Sequence, residues 1–486
     1  MGLNNKYEND NNYIQLSELM YLCFFGLMLF AKGAGLYDGQ FVYKIVLLLA
    51  FGCLGVKMLI TKYSYLEWSI IIGLLAFATI VYLHSGEKGI LICIAMIVAM
   101  KNVSVDRVFK SGLVLWCISA GGCFLYSLLN MDNVRMEVQW KFWKVLLPRY
   151  FMGFPHPNVL HISYFVLALL FLYVWKEKYN WKHVLGLMLG NIFIFIYSYS
   201  VTGFAVVAFL LIIAVYIKIK KINRFDYFLV KLVFPICLLI SIILPVFAEG
   251  KILQVADKIF NYRIGYSKHF LQWENITIIG NPLAEITDSI LAIDNSFVFS
   301  LIIYGAPIFI CMVIVYVLLI KTYVNEKKNV ELAIIISYFI AGITEPLLFN
   351  TSFKNFTLIF IGSLLFQITK KYSGKEVSFF KGKDIEIRVR VDYYQKIISL
   401  IDSIWQCMQT RYVCISVLIA ASISIVYAVL RKIPQRILER REEEIQSLIF
   451  FERIRSGATM FLVAFIVLTF ILSLGEYLKN KKQKVG

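Results

Sequence analysis

One polar segment, residues 149–158, lies between two long apolar runs and carries residue types that could do chemistry. It reads Arg-Tyr-Phe-Met-Gly-Phe-Pro-His-Pro-Asn. Pro155 and Pro157 fix φ on both sides of His156 and favour extended backbone before each proline, so a stiff loop would present the imidazole. Asn158 suits the N-cap of the apolar helix that follows, and the segment also fits a plain loop-to-helix start.

The composition of the chain is that of a membrane protein. Of its 486 residues, 59% are hydrophobic and 16% are charged, and the mean hydropathy is +0.73. Soluble domains are about half apolar and about a quarter charged. We therefore expect an all-α, polytopic integral membrane protein. The net charge of +18 is chiefly a topology signal, because basic residues gather in alternate loops, and it does not predict nucleic-acid binding.

Hydropathy predicts about fourteen membrane-spanning helices. Their approximate bounds are 16–36, 41–60, 65–83, 89–101, 108–130, 157–175, 183–199, 202–219, 227–248, 295–320, 331–350, 354–370, 411–430 and 456–478. The first is interpreted as a retained span and not as a cleaved signal peptide. The positive-inside rule then places both termini in the cytoplasm.

Two predicted outer loops, residues 131–156 and 249–293, are longer than a hairpin needs. A loop of that length is usually functional or disordered, and the aromatic and aliphatic residues of the second loop favour folding against the membrane. The first half of the second loop predicts a helix that carries Arg263, Lys268 and His269. These loops are therefore the first places to look for a functional site.

Acidic and amide residues stand at the predicted outer ends of later helices. Asp294 and Asn295 open a long apolar span, where an N-cap role would explain either residue. Glu345 ends another span, and a carboxylate at membrane depth is costly, so a polar cavity or an arginine partner is expected for it. The sequence has no nucleotide-binding pattern and no carboxylate–metal cluster, so neither a cofactor nor a metal is expected.

The chain is predicted to divide into three parts. Residues 1–370 form the membrane core with both large outer loops, 371–410 form a basic cytoplasmic segment, and 411–486 supply two further spans. Within the basic segment, the alternating stretch 384–391 predicts a short strand. Between the last two spans, basic and apolar residues over 431–455 predict an amphipathic helix on the outer leaflet, unless one span is miscounted.

The order of these motifs resembles that of a known family. The motifs, in chain order, are Arg149-x(3)-Gly-Phe-x-His-Pro-Asn158, a Ser/Thr-Gly hairpin over 198–203, Arg263, the turn Gly280-Asn-Pro282, Asp294-Asn-Ser-Phe-x(7)-Gly305 and Glu345. Together they resemble the Wzy-type bacterial polysaccharide polymerases, which form one superfamily of GT-C-like integral-membrane glycosyltransferases with the O-antigen ligases. The resemblance covers roughly residues 21–370.

The resemblance implies inverting, metal-independent glycosyl transfer on the outer face of the bacterial cytoplasmic membrane. The donor would be a growing glycan on undecaprenyl diphosphate, and the acceptor a hydroxyl of the incoming lipid-linked repeat unit. The product would be a surface polysaccharide such as capsule, exopolysaccharide or O-antigen. Guanidinium groups bind phosphate oxygens bidentately, so Arg149 and Arg263 are expected to grip the diphosphate, with a weaker part for Lys268.

Several residues could act as the base that activates the acceptor hydroxyl. Histidine titrates near neutral pH, so His156 is the first choice, Asp294 the second, and His269 an alternative. Members of the superfamily often carry a histidine where Asp294 stands and an arginine in the Ser/Thr-Gly hairpin, and this chain has neither, which leaves the base open. The remaining residues expected to bind substrate are Asn158, Asn295 and Glu345.

Two other functions stay open at this point. An O-antigen-ligase-like transferase would move a finished glycan to a different acceptor. A flippase for lipid-linked oligosaccharide would predict short loops on both sides, charges near the bilayer midplane and internal repeats, and the sequence has no evident repeat. Besides the lipid-linked substrates, the expected partners are membrane lipids and, in the same pathway, a chain-length regulator and a flippase.

Overall fold

The structure, a computed structural model, describes residues 13–141, 145–286, 292–348, 353–372, 374, 376–377, 385–388, 403, 410–438 and 442–485. Its helices are α1 Leu16–Gly33, α2 Phe41–Ile60, α3 Tyr65–Ser85, α4 Gly89–Val98, α5 Val105–Leu129, α6 Pro157–Val174, α7 Trp181–Ser198, α8 Val201–Ile219, α9 Arg224–Leu238, α10 Leu244–Phe247, α11 Gly250–Phe260, α12 Arg263–Trp273, α13 Leu283–Ile286, α14 Ser296–Ile303, α15 Ala306–Asn325, α16 Asn329–Thr344, α17 Thr357–Thr369, α18 Thr410–Leu430, α19 Gln435–Leu438 and α20 Glu442–Val485.

Within the described ranges, six short strands form three antiparallel pairs. The strands are β1 Tyr13–Gln15, β2 Tyr63–Ser64, β3 Met136–Lys141, β4 Val145–Tyr150, β5 Glu376–Val377 and β6 Glu386–Arg388. β3 and β4 form a hairpin, whereas β1 pairs with β6 and β2 pairs with β5. Within the strand predicted over 384–391, the described residues Glu386–Arg388 form β6, which pairs with β1 near the N-terminus. Most of the basic segment 371–410 lies outside the described residues.

The prediction of a mostly helical, multi-pass membrane protein is confirmed. Among the described residues, eleven helices are long and apolar enough to cross a membrane, and three shorter apolar helices accompany them. The shorter three, α4, α16 and α17, are buried along most of their length. Helices that are apolar on every side belong in the interior of a bundle. They account for three of the fourteen predicted spans, and α16 carries the site residue Glu345 directly after its end.

The predicted continuous span at 295–320 is wrong in one respect, because the helix breaks between α14 and α15. Gly305 has φ +86°, a left-handed conformation that side chains disfavour. The Gly-Asn-Pro turn packs into this break, and a Cβ on Gly280 would lie 1.9 Å from the carbonyl oxygen of Ile303. Asn281 donates to the carbonyl of Ile302 at 2.9 Å. The turn therefore packs against the break at the C-terminal end of α14, the helix that Asn295 caps at its other end.

The predicted amphipathic helix at 431–455 and the predicted span at 456–478 are not separate elements. Residues 442–485 form one helix of 44 residues, α20, and only the short α19 precedes it in the described part of the linker. Helix-permitting residues continue through this stretch without a proline, which removes the usual reason for a stop. α20 packs along α18 and also against β4 and α7, so the C-terminal pair of helices lies beside the β3–β4 hairpin.

Candidate functional site

Arg149 projects from β4 and is 3% exposed. The hairpin register sets Arg149 opposite Glu137 on β3. Its Nη1 donates to Glu137 Oε1 at 2.7 Å, its Nε to the carbonyl of Ser198 at 2.8 Å, and its Nη2 to Asn158 Oδ1 at 2.6 Å. Burial lowers the pKa of Arg149, opposed chiefly by the Glu137 charge. The guanidinium is thus held on three sides by the hairpin, α7 and α6.

The start of α6 corrects one sequence prediction. Asn158 was expected to be the N-cap, but the cap is His156, whose Nδ1 accepts from the Asn158 backbone N–H at 3.1 Å. Pro157 takes the first helical position, which suits a residue that has no N–H to donate. The Asn158 side chain is thereby free to link two groups, since it accepts from Arg149 and donates to Glu345 Oε1 at 3.1 Å.

The His156 imidazole lies at the margin of this cluster. Its side chain is 46% exposed, and its Nε2 is 3.9 Å from Glu137 Oε1, the same carboxylate oxygen that Arg149 binds. The ring also contacts the edge of Phe151, with the ring centroids 6.2 Å apart. His156 is therefore open to solvent, close to Arg149, and oriented by its capping bond.

Arg263 opens α12 after a sharp chain reversal. Asn261 and Tyr262 both have positive φ, an uncommon pair for residues with a side chain. The Arg263 side chain is 9% exposed, and its Nε donates to the carbonyl of Thr344 at 2.9 Å. Its Nη2 lies 3.1 Å from Asp294 Oδ2 and 3.9 Å from Glu345 Oε1. Arg263 thus reaches the end of α16 from the start of α12.

Asn295 has the N-cap role that the sequence left open between Asp294 and Asn295, and Asp294 forms an ion pair instead. Asn295 is the N-cap of α14, accepting from the N–H groups of Phe297 and Val298, and it donates to Ser241 Oγ at 2.9 Å. Ser241 lies in the π-helical turn Leu239–Ile243 that follows Pro235 in α9. Asp294 is left to pair with Arg263, and burial raises the pKa of its carboxyl while the arginine opposes the shift.

Glu345 lies at the centre of the cluster, directly after α16. Its Oε1 accepts from Asn158 at 3.1 Å and from the Thr202 hydroxyl at 3.4 Å. Burial and the Asp294 charge raise the pKa of Glu345 to about 7, against the opposing charges of Arg263 and Arg149. Two arginines from different predicted outer loops therefore converge on one carboxylate.

Lys268 and His269 contact other parts of the second loop. Lys268 Nζ donates to the carbonyl of Ala248 at 2.8 Å and lies 3.7 Å from Glu249 Oε1. His269 is exposed and its ring packs beside Phe270 and Trp273. Their described contacts do not include Arg149, Arg263 or Glu345, so the structure does not bring them into this cluster.

A buried lysine was missed by the sequence reasoning. Lys354 is 3% exposed, and its Nζ donates to Ser163 Oγ at 3.0 Å between the rings of Trp116 and Phe154. Burial lowers the pKa of Lys354 to about 7, and the Glu345 charge opposes that shift. A lone lysine next to an apolar span was the available signal, since ionisable groups at membrane depth mark functional sites by default.

The Ser/Thr-Gly hairpin, residues 198–203, packs against His161 and Arg149. His161 accepts or donates through Nδ1 to Ser198 Oγ at 2.8 Å and through Nε2 to Asn191 Oδ1 at 2.7 Å. A Cβ on Gly203 would lie 2.7 Å from the Cβ of His161, so a side chain there would displace the imidazole. Since Ser198 also receives Arg149, the glycine protects the packing that positions this arginine.

Opposite faces of β4 carry two different contacts. Arg149 points into the site, and the next residue, Tyr150, donates to Glu452 Oε2 of α20 at 2.6 Å. Glu452 also binds Arg455 one helical turn later, and the Arg455 guanidinium lies 4.8 Å from the Tyr150 ring centroid. Both members of this ion pair are 1% exposed. The C-terminal helix is thus joined to the strand that carries Arg149.

The fold and the site define an integral membrane protein with a buried arginine–carboxylate cluster at one end of its helical bundle. Among the described residues, no group of three His, Cys, Asp or Glu side chains could hold a metal ion. No family model, no curated protein and no solved structure matches the chain. The resemblance to polysaccharide polymerases therefore stays a prediction, and the chemistry has to be argued from the cluster itself.

Proposed function

We propose that this protein is a membrane glycosyltransferase that polymerises undecaprenyl-diphosphate-linked repeat units into a surface polysaccharide. The observation that carries the proposal is the convergence of Arg149 and Arg263 on Glu345. Arg149 reaches Glu345 through Asn158, and Arg263 Nη2 lies 3.9 Å from Glu345 Oε1. Two buried guanidinium groups at one place are a ready receptor for a diphosphate.

The pairing of the arginines supports an exchangeable anion site. Each arginine is nearly buried, whereas its carboxylate partner is about one-third exposed: Glu137 is 34% and Asp294 33% exposed. The arginines are thus fixed in the protein, and the carboxylate oxygens occupy positions that phosphate oxygens could take. As the glycosyl bond to the carrier breaks, negative charge grows on the diphosphate, and two fixed guanidinium groups would stabilise it.

The remaining parts of the proposal concern orientation and partners. The cluster faces outward in the bacterial cytoplasmic membrane, with both termini in the cytoplasm, as the basic residues of alternate loops favour. The donor is the growing lipid-linked chain and the acceptor is the next lipid-linked unit. A flippase supplies that unit and a chain-length regulator limits the product. The fold is of the GT-C type shared by O-antigen polymerases and ligases.

The test is polymerisation by the purified protein in nanodiscs, with the lipid-linked repeat unit and EDTA. We expect longer lipid-linked glycans, their loss in Arg263→Ala and Arg149→Ala, and normal products from Lys251→Ala. Lys251 is a matched control because it is an exposed cation of the same outer loop. If Arg263→Ala keeps the unfolding temperature of the natural protein, its loss of polymerisation is not caused by a folding defect.

Three other results would contradict the proposal in distinct ways. Transfer of a finished glycan to a different acceptor, without extension of the lipid-linked chain, would indicate a ligase. Movement of the intact lipid-linked unit across proteoliposome bilayers, without any glycosyl transfer, would indicate a flippase. Full polymerisation by Arg263→Ala would show that the arginine cluster is not the diphosphate-binding site.

A further inference from the structure

The two oxygens of Glu345 have different surroundings. Oε1 receives Asn158 Nδ2 and the Thr202 hydroxyl and is the oxygen closest to Arg263. Oε2 accepts no hydrogen bond from any described residue, and the Glu345 side chain is 12% exposed. One oxygen therefore fixes the carboxylate, and the other is available to accept a proton in the cluster that joins Arg263, Glu345, Asn158 and Arg149.

Each of the other base candidates is connected to only one of the two arginines. Asp294 Oδ2 lies 3.1 Å from Arg263 Nη2, and the described contacts of Asp294 do not include Asn158 or Arg149. His156 Nδ1 already accepts the Asn158 N–H at 3.1 Å, and its Nε2 faces Glu137. Of these three side chains, Glu345 is the one that lies near Arg263 and also binds Asn158, the residue that accepts from Arg149.

We propose that Glu345 is the general base of the transfer, with Oε2 as the atom that takes the proton. This inference rests on the proposed glycosyltransferase function. The acceptor hydroxyl gives its proton to Oε2 while its oxygen forms the new bond to the anomeric carbon. The bond from that carbon to the diphosphate oxygen breaks, and its electron pair leaves with undecaprenyl diphosphate. Glu345 then returns the proton to solvent.

The charged groups around Glu345 set its protonation. Arg263 on α12, the Thr202 hydroxyl on α8 and Arg149 on β4 favour the carboxylate, and Asp294 before α14 disfavours it. Lys354 before α17, whose pKa is lowered to about 7, also interacts with the Glu345 charge. With burial as the largest effect, the pKa of Glu345 is raised to about 7. A base of that strength is half deprotonated near neutral pH, which is close to the optimum for general-base catalysis.

The decisive variant is Glu345→Gln, since its amide oxygen can still accept the Asn158 hydrogen bond. We expect kcat to fall roughly 10²- to 10⁴-fold. The rise of kcat with pH through about 7, expected for the natural protein, should disappear. The affinity for undecaprenyl diphosphate, measured with a fluorescent analogue, should change less than about threefold, a change worth under 1 kcal/mol. Arg263→Ala should instead lose this affinity.

Two companion experiments keep the inference open to refutation. Formate, as an external carboxylate, should restore part of the activity of Glu345→Ala and none of that of Arg263→Ala. His156→Gln and Asp294→Asn should retain more activity than Glu345→Gln. If Glu345→Gln polymerises normally and His156→Gln does not, His156 is the base and the glycosyltransferase stands. If the natural protein fails to polymerise, the proposed function and the base fail together.

Discussion

Replacing Arg149 by lysine keeps the positive charge but removes the geometry that the structure uses. The guanidinium donates through three nitrogen atoms to the Ser198 carbonyl, to Glu137 and to Asn158. A lysine ammonium is a single point donor on a flexible stem. If it binds Glu137, as charge dictates, then the Ser198 carbonyl and Asn158 Oδ1 both lose their donor.

The size of the effect follows from those two lost bonds. A hydrogen bond to a charged donor contributes about 1.5 to 3 kcal/mol, so the loss of two such bonds in Arg149→Lys should lower the free energy of unfolding by about 3 to 6 kcal/mol. Because Asn158 also binds Glu345, polymerisation should fall together with stability. The measurements are chemical unfolding of the purified protein in detergent and the polymerisation assay on the same preparation.

The same hairpin offers a matched control. Arg135 is exposed and its guanidinium lies 4.5 Å from the Phe151 ring centroid, so Arg135→Lys keeps an exposed cation beside an aromatic ring. An exposed substitution of this kind should change the free energy of unfolding by less than about 0.5 kcal/mol. The reasoning is refuted if Arg149→Lys is as stable and as active as Arg135→Lys.

Three further predictions follow from buried contacts. Tyr150→Phe should lower the free energy of unfolding by about 1.5 kcal/mol, because Glu452 loses a 2.6 Å hydrogen bond, and it should be non-additive with Glu452→Gln in a double-mutant cycle. Gly203→Ala should destabilise by about 1 to 3 kcal/mol, measured by chemical unfolding, because its Cβ would lie 2.7 Å from His161 Cβ. Burial lowers the pKa of Lys354 to about 7, so above that pH the unfolded chain binds more protons than the folded protein. The free energy of unfolding should therefore rise between about pH 7 and 10. The unfolding temperature, measured across this range, should rise less in Lys354→Met than in the natural protein.

Hydropathy was sufficient to predict the class of fold. Long apolar runs leave few structures possible in lipid, since every backbone polar group must be satisfied within the chain. The break at Gly305 escaped this reasoning, because the apolar pattern continues through it. It depends on the turn at Gly280, about two dozen residues earlier, and hydropathy contains no information about such a tertiary contact.

The site could be predicted in its residue types but not in its connections. Arg149, Arg263, Asp294 and Glu345 stood out because charged residues at the ends of apolar runs are conspicuous, and the structure brings these four together. The link through Asn158 could not be foreseen, because it depends on Pro157 taking the first helical position. Lys268 stood out for the same reason of charge, yet its side chain turns to the Ala248 carbonyl.

The C-terminal helices contribute to the site although they lie beyond the stretch that resembles polymerases. In a strand, adjacent side chains point to opposite faces, so whatever holds Tyr150 also fixes the direction of Arg149. Tyr150 is held by Glu452, which is itself fixed by Arg455 on the same helix. A buried ion pair is costly to break from one side, so α20 is a rigid support for β4. The structural support of Arg149 therefore extends to Arg455.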